Sequence, residues 1–180
     1  TDLRVVISPL TDLAWTLAQD KAARPGGRAP LVEYRDAVEA IGRHFGLDDP
    51  YESLQRRPPA PFDQPAAGGL GDAERFMLAL GCVSQQALEL AEVLNPDSVD
   101  AFNALDLQAL YRADVQADGA LDGRLGDAPV QVTSRAGRVV DLPADPFRHD
   151  LALACHRWLL TEGNPTGLDP LEVVDDLQAL

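Results

Sequence analysis

The stretch SQQALELAEVLNPDSVDAFNALDLQALYR, residues 84–112, decides the fold that the sequence predicts. Its apolar residues recur at helical spacing in two runs, 84–94 and 99–112. The turn NPDS (95–98) separates them, because Pro stops one helix and Asp or Ser caps the next. A third run, AERFMLALG (73–81), precedes this stretch. The pattern therefore predicts three consecutive helices, with Ser84 available to cap the second.

Two short β-branched runs follow these helices. PVQV (129–132) and RVVDL (138–142) flank SRAG (134–137), in which Gly137 allows the positive φ that a tight turn needs. The sequence predicts a hairpin here. The Asp- and Gly-rich residues 114–128 that precede it are expected to form a turn or loop.

The N-terminal third reads as a helical pair. Ser8 and Pro9 mark a helix start, and Leu10, Leu13, Ala14 and Leu17 follow on one face. The loop ARPGGRAP (23–30) leads to a second helix from about Leu31 to Phe45, and Gly46 is placed to end it.

These patterns predict a mainly α protein with a small β-hairpin. A helical N-terminal domain (1–57) is followed by a Pro- and Gly-rich linker (58–71) and then by a winged-helix-like domain (72–160). The last residues, 161–180, are expected to contain a helix, and a further domain after it is one alternative.

The charge distribution limits the partners. The net charge is −14, and residues 84–127 carry nine acidic side chains against two basic ones. Such a field repels nucleic acids and anionic membranes. It favours a basic protein partner.

The two cysteines, Cys82 and Cys155, lie in apolar helix-like runs. We expect buried free thiols, and a disulfide is the less favoured alternative. No apolar run approaches the length of a membrane span, and the first residues do not resemble a signal peptide. These features together predict a cytoplasmic protein without membrane contact.

Catalytic patterns are missing from the sequence. GGLG (68–71) lacks the lysine and the preceding strand of a phosphate loop, and neither C-x-x-C nor H-E-x-x-H occurs. The group His149, Cys155 and His156 is better explained by helix packing than by a soft-metal site. The sequence predicts no enzyme, no metal and no cofactor.

The order of VSQQALELAEVLNPDS, LQALYR, LGDAPVQV, AGRVVDL and HDLALACHRWLL over residues 72–160 resembles the winged helix-turn-helix effector domains of response regulators. It is most similar to the bacterial antibiotic-regulatory (SARP-type) transcriptional activators. This resemblance implies a recognition helix at Val99–Arg112 and a wing at the hairpin, both directed at DNA. Asn95 stands where that family tends to have Trp.

The DNA-binding residues that the resemblance implies are the polar side chains of the recognition helix and the wing: Asn103, Gln108, Arg112, Arg135 and Arg138. Asp100 and Asp106 make the recognition helix acidic, which opposes phosphate contacts. Two hypotheses follow. The chain is a regulator of transcription that binds DNA, or it is an acidic interaction module that uses the same scaffold to bind a basic protein or to imitate DNA. A homodimer is a further candidate assembly.

Overall fold

The first helix begins where the sequence predicts. The Ser8 Oγ accepts a hydrogen bond of 3.2 Å from the Thr11 backbone N–H, and the Thr11 hydroxyl accepts one of 2.8 Å from the Ser8 N–H. This reciprocal capping box satisfies donors that the first turn leaves free. The predicted apolar face, Leu10, Leu13, Ala14 and Leu17, is fully buried.

This computed structural model describes residues 8–47, 49–55, 72–94, 102–133, 137, 139–141, 146–160 and 169–171. Helices make up 73% of them, so the mainly α class with a small hairpin is confirmed. In chain order the elements are α1 (Pro9–Ala23), α2 (Pro30–His44), α3 (Pro50–Gln55), α4 (Asp72–Leu94), α5 (Ala104–Asp118), β1 (Arg124–Leu125), β2 (Ala128–Pro129), β3 (Gln131–Thr133), β4 (Val139–Asp141) and α6 (Pro146–Leu160).

α2 also ends as predicted. Gly46 has a φ of +76°, which L side chains rarely adopt and which a helix terminus commonly requires. Trp15 of α1 packs edge-on against Tyr34 of α2, with ring centroids 6.0 Å apart, and 38% of Trp15 is exposed. Gly42 lets Pro50 of α3 approach closely, since a Cβ at that position would overlap the proline ring.

The two helices predicted over 73–81 and 84–94 are one helix, α4. Gly81 does not end a helix. It lies inside α4 because the Trp158 ring of α6 packs against it, and a Cβ there would come within 2.7 Å of that ring. Ser84 is an exposed position of the continuous helix rather than a cap. Close helix packing therefore explains a glycine that local sequence suggested was a terminus.

The next helix is shifted from its predicted bounds. It was expected at Val99–Arg112, with Asp97 or Ser98 as cap, but α5 spans Ala104–Asp118 and Asn103 caps it. Gly119, at a φ of +92°, ends it in the left-handed region. Leu105, in the first turn of α5, is 80% exposed.

The stretch 114–128 is only partly the loop that was predicted. α5 continues to Asp118, and Arg124–Leu125 then pairs with Ala128–Pro129 in a short antiparallel hairpin. The hairpin predicted around residues 134–137 is present, and it is formed by β3 and β4. Gln131 pairs with Asp141, Val132 with Val140 and Thr133 with Val139. The described strands form two separate two-stranded sheets, and the winged-helix arrangement stays a prediction.

One hydrophobic cluster contains residues from both sides of the predicted linker. α1 packs against α2 and also against α5, while α4 packs against α6 and α3. The largest fully buried side chains are Tyr111, Phe76, Leu10, Leu13, Leu17, Leu54, Leu94, Leu107, Leu159, Val38 and Val115. The linker 58–71, the turn NPDS and nearly all of 161–180 lie outside the described residues.

The expectation of free thiols is wrong. Cys82 of α4 and Cys155 of α6 form a disulfide with Cα atoms 4.4 Å apart. The two cysteines are 73 residues apart in sequence, so only the packing of α4 against α6 brings them together.

One stretch within the described residues, Arg75–Leu94 of α4, is long and apolar enough to meet the length and composition criteria for a membrane span. Of its apolar window, 44% is buried inside the protein, and the core helix of a soluble protein meets the same criteria. α4 carries Phe76, Ala79 and Val83 of the shared core.

Candidate interaction surface

The helix expected to read DNA, α5, is attached to α1 by polar side chains. The Gln108 side-chain amide donates a 2.8 Å hydrogen bond to the Pro9 carbonyl oxygen and a 3.0 Å hydrogen bond to Asp12 Oδ2. Gln108 is only 8% exposed. Its donors are therefore turned toward α1 rather than toward solvent.

Arg112 binds the same carboxylate one turn later. Its Nε lies 2.6 Å from Asp12 Oδ2, and its Nη2 pairs with Asp12 Oδ1, so the contact is bidentate. The Arg112 hydrogen bond lowers the pKa of Asp12 below its ordinary value, burial opposes that shift, and Gln108 adds to it. The pKa of Arg112 is raised, chiefly by its hydrogen bond to Asp12. The Arg112 guanidinium thus stays protonated, and the negative charge of Asp12 balances its positive charge.

Asn103 caps the N-terminus of α5. Its Oδ1 accepts hydrogen bonds from the backbone N–H of Leu105 (2.8 Å) and of Asp106 (3.4 Å). Asp106 Oδ2 in turn accepts a 2.9 Å hydrogen bond from the Asn103 N–H. This is a capping box, so the amide oxygen that was a candidate base contact is used by the backbone.

The structure brings Gln108 and Arg112 together at Asp12 and leaves Asn103 at the helix start. Arg135 and Arg138 of the predicted wing lie outside the described residues. The solvent face of α5 carries Leu105, Ala109 and Gln116 beside Arg112. Since Arg112 is the one base in 104–118, this helix presents no unpaired cation to a phosphate backbone.

A buried carboxylate on α5, Asp114, was not among the residues predicted from the sequence. It is 1% exposed. Oδ2 accepts a 3.0 Å hydrogen bond from the Gly123 N–H, and Oδ1 accepts one of 3.0 Å from the Arg124 N–H. A sequence signal existed: Asp114 follows Leu107 and Tyr111 at helical spacing, so an acid occupies the buried face of an amphipathic helix.

Burial raises the pKa of Asp114 to about 6, and the negative charges of Asp122 and Asp118 contribute. The hydrogen bonds from the Gly123 and Arg124 backbone favour the ionised form and limit the shift. A carboxyl group with such a pKa changes its charge close to neutral pH. At the α5–β1 connection, a carboxyl group with a raised pKa therefore holds the backbone of the turn.

Exposed negative charge is concentrated between the last residue of α5 and the turn of the β1–β2 hairpin. Asp118, Asp122 and Asp127 are exposed within ten residues of one another, and Arg124 is the one base among them. We call Asp118, Asp122 and Asp127 the acidic segment. Each of the first two also accepts a backbone hydrogen bond in its turn, Asp118 from Ala120 (2.8 Å) and Asp122 from Arg124 (2.9 Å).

The loop between α1 and α2 carries Arg24 and Arg28, which could in principle attract an anion. Arg28 Nε lies 2.8 Å from Glu33 Oε1, and the same guanidinium also pairs with Asp36. The Arg28 hydrogen bonds lower the pKa of Glu33 to about 2. Arg28 is thus satisfied by carboxylates of α2, which disfavours an anion site at this loop.

Among the described residues, no group of three or more His, Cys, Asp or Glu side chains is arranged to hold a metal ion. Comparison with protein families, with curated proteins and with solved structures finds no match for this chain.

Proposed function

We propose that this chain is a non-enzymatic protein-interaction module whose acidic segment binds a basic partner. The observation that carries the proposal is the attachment of α5 to α1: Gln108 and Arg112 both donate to Asp12. A side chain that reads a base edge must direct its donors into the groove. Here the same donors hold the two parts of the fold together.

Electrostatics favour the same partner. The exposed charges of residues 118–127 are three carboxylates and one guanidinium, in a chain of net charge −14. A surface of this sign attracts lysine- and arginine-rich segments and repels a phosphate backbone. For this chain to bind DNA, Arg112 would have to leave Asp12. The repulsion between the net negative charge of the chain and the phosphate backbone would also have to be overcome.

The disulfide also bears on location. The cytoplasmic location predicted from the sequence relied on free thiols. A buried disulfide such as Cys82–Cys155 is typical of oxidising compartments and uncommon in the cytosol. We therefore propose that the chain binds its basic partner in an oxidising compartment.

The test compares two labelled probes by fluorescence anisotropy: a short lysine-rich peptide and a duplex DNA of random sequence. The peptide is expected to bind, and raising the salt concentration should weaken it because exposed charges are screened. The DNA is expected not to bind even at low salt. Binding of the DNA that is lost in Arg112→Ala would instead support the transcription-regulator hypothesis.

A matched pair of variants locates the surface. Asp118→Asn/Asp122→Asn/Asp127→Asn removes the acidic segment, and Asp36→Asn/Glu39→Gln/Glu92→Gln removes equal charge elsewhere. Exposed ion pairs contribute roughly 0.2–1 kcal/mol each, so the first triple variant should weaken peptide binding about threefold or more. Equal weakening by both variants would show a nonspecific charge effect and would contradict the proposed surface.

A further inference from the structure

We propose that Asp114 couples the docking of the β1–β2 hairpin on α5 to pH. This proposal holds whether or not the acidic segment binds a partner. At the connection between α5 and β1, a side chain of the helix holds the backbone of the turn. The carboxylate is buried, and both of its oxygens accept from that turn, Oδ2 from Gly123 and Oδ1 from Arg124, each at 3.0 Å.

Leu121 and Val130, which flank the hairpin, are buried in the core, and Asp114 adds a polar attachment between them. β1 and β2 are two residues each and pair only with one another. The Val130 N–H donates a 2.8 Å hydrogen bond to the Gly123 carbonyl oxygen, which closes the loop onto the residue that Asp114 holds. Leu125 at the hairpin is 43% exposed. A change at Asp114 therefore acts on the point where the whole hairpin joins the helix.

The groups around Asp114 come from four elements. Tyr111 and Asp118 lie on α5 itself, and Asp122 and Arg124 lie on the turn and on β1. From α4, the neutral Gln86 accepts a 2.6 Å hydrogen bond from the buried Tyr111 hydroxyl.

From α1, the Arg24 guanidinium lies beside Gly119 at the end of α5 and is paired with Asp20. The charged neighbours that act on Asp114 are the two aspartates, Asp122 and Asp118, and both disfavour a further negative charge.

The sign follows from proton linkage. In the docked state the pKa of Asp114 is raised to about 6. If the hairpin undocks, the carboxyl becomes solvated and its pKa returns toward the ordinary value near 3.8. The docked state therefore binds the proton more tightly, so protonation favours docking. The contribution of the bound proton to docking is complete below about pH 3.8 and is lost as pH rises through about 6.

The expected size follows from the same two values. Linkage with a docked pKa of about 6 and an undocked one near 3.8 predicts that the docking equilibrium falls roughly tenfold between about pH 5 and about pH 7.5. The affected backbone groups are the amides of Gly123 and Arg124, because those are the donors to Asp114.

The experiment measures hydrogen exchange of the Gly123 and Arg124 amides by NMR across this pH range, corrected for the base catalysis of exchange. In the unsubstituted chain the protection factors of both amides should fall about tenfold as pH rises. Asp114→Asn keeps the shape of the side chain without titrating, so its protection factors should be independent of pH. Asp127→Asn, at the hairpin tip, should keep the full dependence.

Flat profiles in the unsubstituted chain, or an unchanged slope in Asp114→Asn, would overturn the proposal. If Asp114→Asn does not fold, the titration of the Asp114 carboxyl ¹³C shift in the unsubstituted chain decides the matter. A midpoint near pH 6 supports the coupling, and a midpoint at or below the ordinary aspartate value overturns it.

Discussion

Arg112 of α5 and Asp12 of α1 form a bidentate ion pair across a sequence separation of 100 residues, with Nε 2.6 Å from Oδ2. The pair connects α1 to the helix for which the sequence predicted DNA contacts. Gln108 donates to the same carboxylate. This three-residue junction therefore determines what α5 presents to solvent.

The first prediction concerns the strength of this pair. Arg112→Ala should lower the free energy of unfolding by about 1 kcal/mol, because the pair is bidentate but half-exposed. Urea unfolding of Arg112→Ala, Asp12→Ala and the double variant gives the coupling between the two residues. An additive double variant would show that they do not interact.

The second prediction is the pH dependence of the same pair. The pKa of Asp12 is lowered in the folded chain, so its contribution is complete above the ordinary aspartate value and is lost as pH falls through the lowered one. Acid unfolding of the unsubstituted chain should therefore include this loss. In Arg112→Ala the corresponding part of the stability profile should be flatter, and an identical profile would contradict the pairing.

The third prediction concerns Asn103 as a helix cap. Asn103→Ala should cost about 1 kcal/mol of stability, since it removes the acceptor for two backbone donors of α5. Asn103→Ser retains a capping oxygen and should be nearly neutral. Thermal unfolding of both variants distinguishes a cap from a side chain held for base contacts, for which the two substitutions would be equally neutral to stability.

The origin of these contacts explains how far sequence alone could reach. Local signals found α1 through Ser8 and Pro9, the end of α2 through Gly46, and the hairpin of β3 and β4. They misplaced the start of α5, although the spacing of Asn103 and Asp106 is itself a capping signal. The Arg112–Asp12 pair depends on the packing of α5 against α1, which no local periodicity encodes.

The same limit applied to the cysteines. Each lies in a similar short segment, LALGC (78–82) and LALAC (151–155), and each segment alone indicates a buried small residue. Only the packing of α4 on α6 shows that the two sulfurs meet.

The fourth prediction concerns this disulfide. It closes a loop between residues 73 apart, so Cys82→Ser/Cys155→Ser should lower the free energy of unfolding by about 4 kcal/mol. Reductant should shift the urea midpoint of the unsubstituted chain in the same direction and leave the double variant unchanged. Two reactive thiols in the unfolded, unreduced chain would contradict the bond.

The fifth prediction concerns the packing beside it. Gly81→Ala places a methyl group against the Trp158 ring, and overpacking of this kind costs roughly 1–3 kcal/mol. Ser84→Ala, at an exposed position of the same helix, should change stability by less than about 0.5 kcal/mol. Calorimetric unfolding compares the two, and a stabilised Gly81→Ala would place α6 elsewhere.

The measurement closest to the central claim maps contacts residue by residue. ¹⁵N-labelled protein is titrated first with the lysine-rich peptide and then, in a separate sample, with random-sequence duplex DNA. We expect the peptide to shift amide resonances around Asp118, Asp122 and Asp127, and the DNA to leave the spectrum unchanged. If DNA instead shifts the resonances of Asn103, Gln108 and Arg112, the claim is contradicted, because Gln108 and Arg112 would then be available to DNA rather than held by Asp12 of α1.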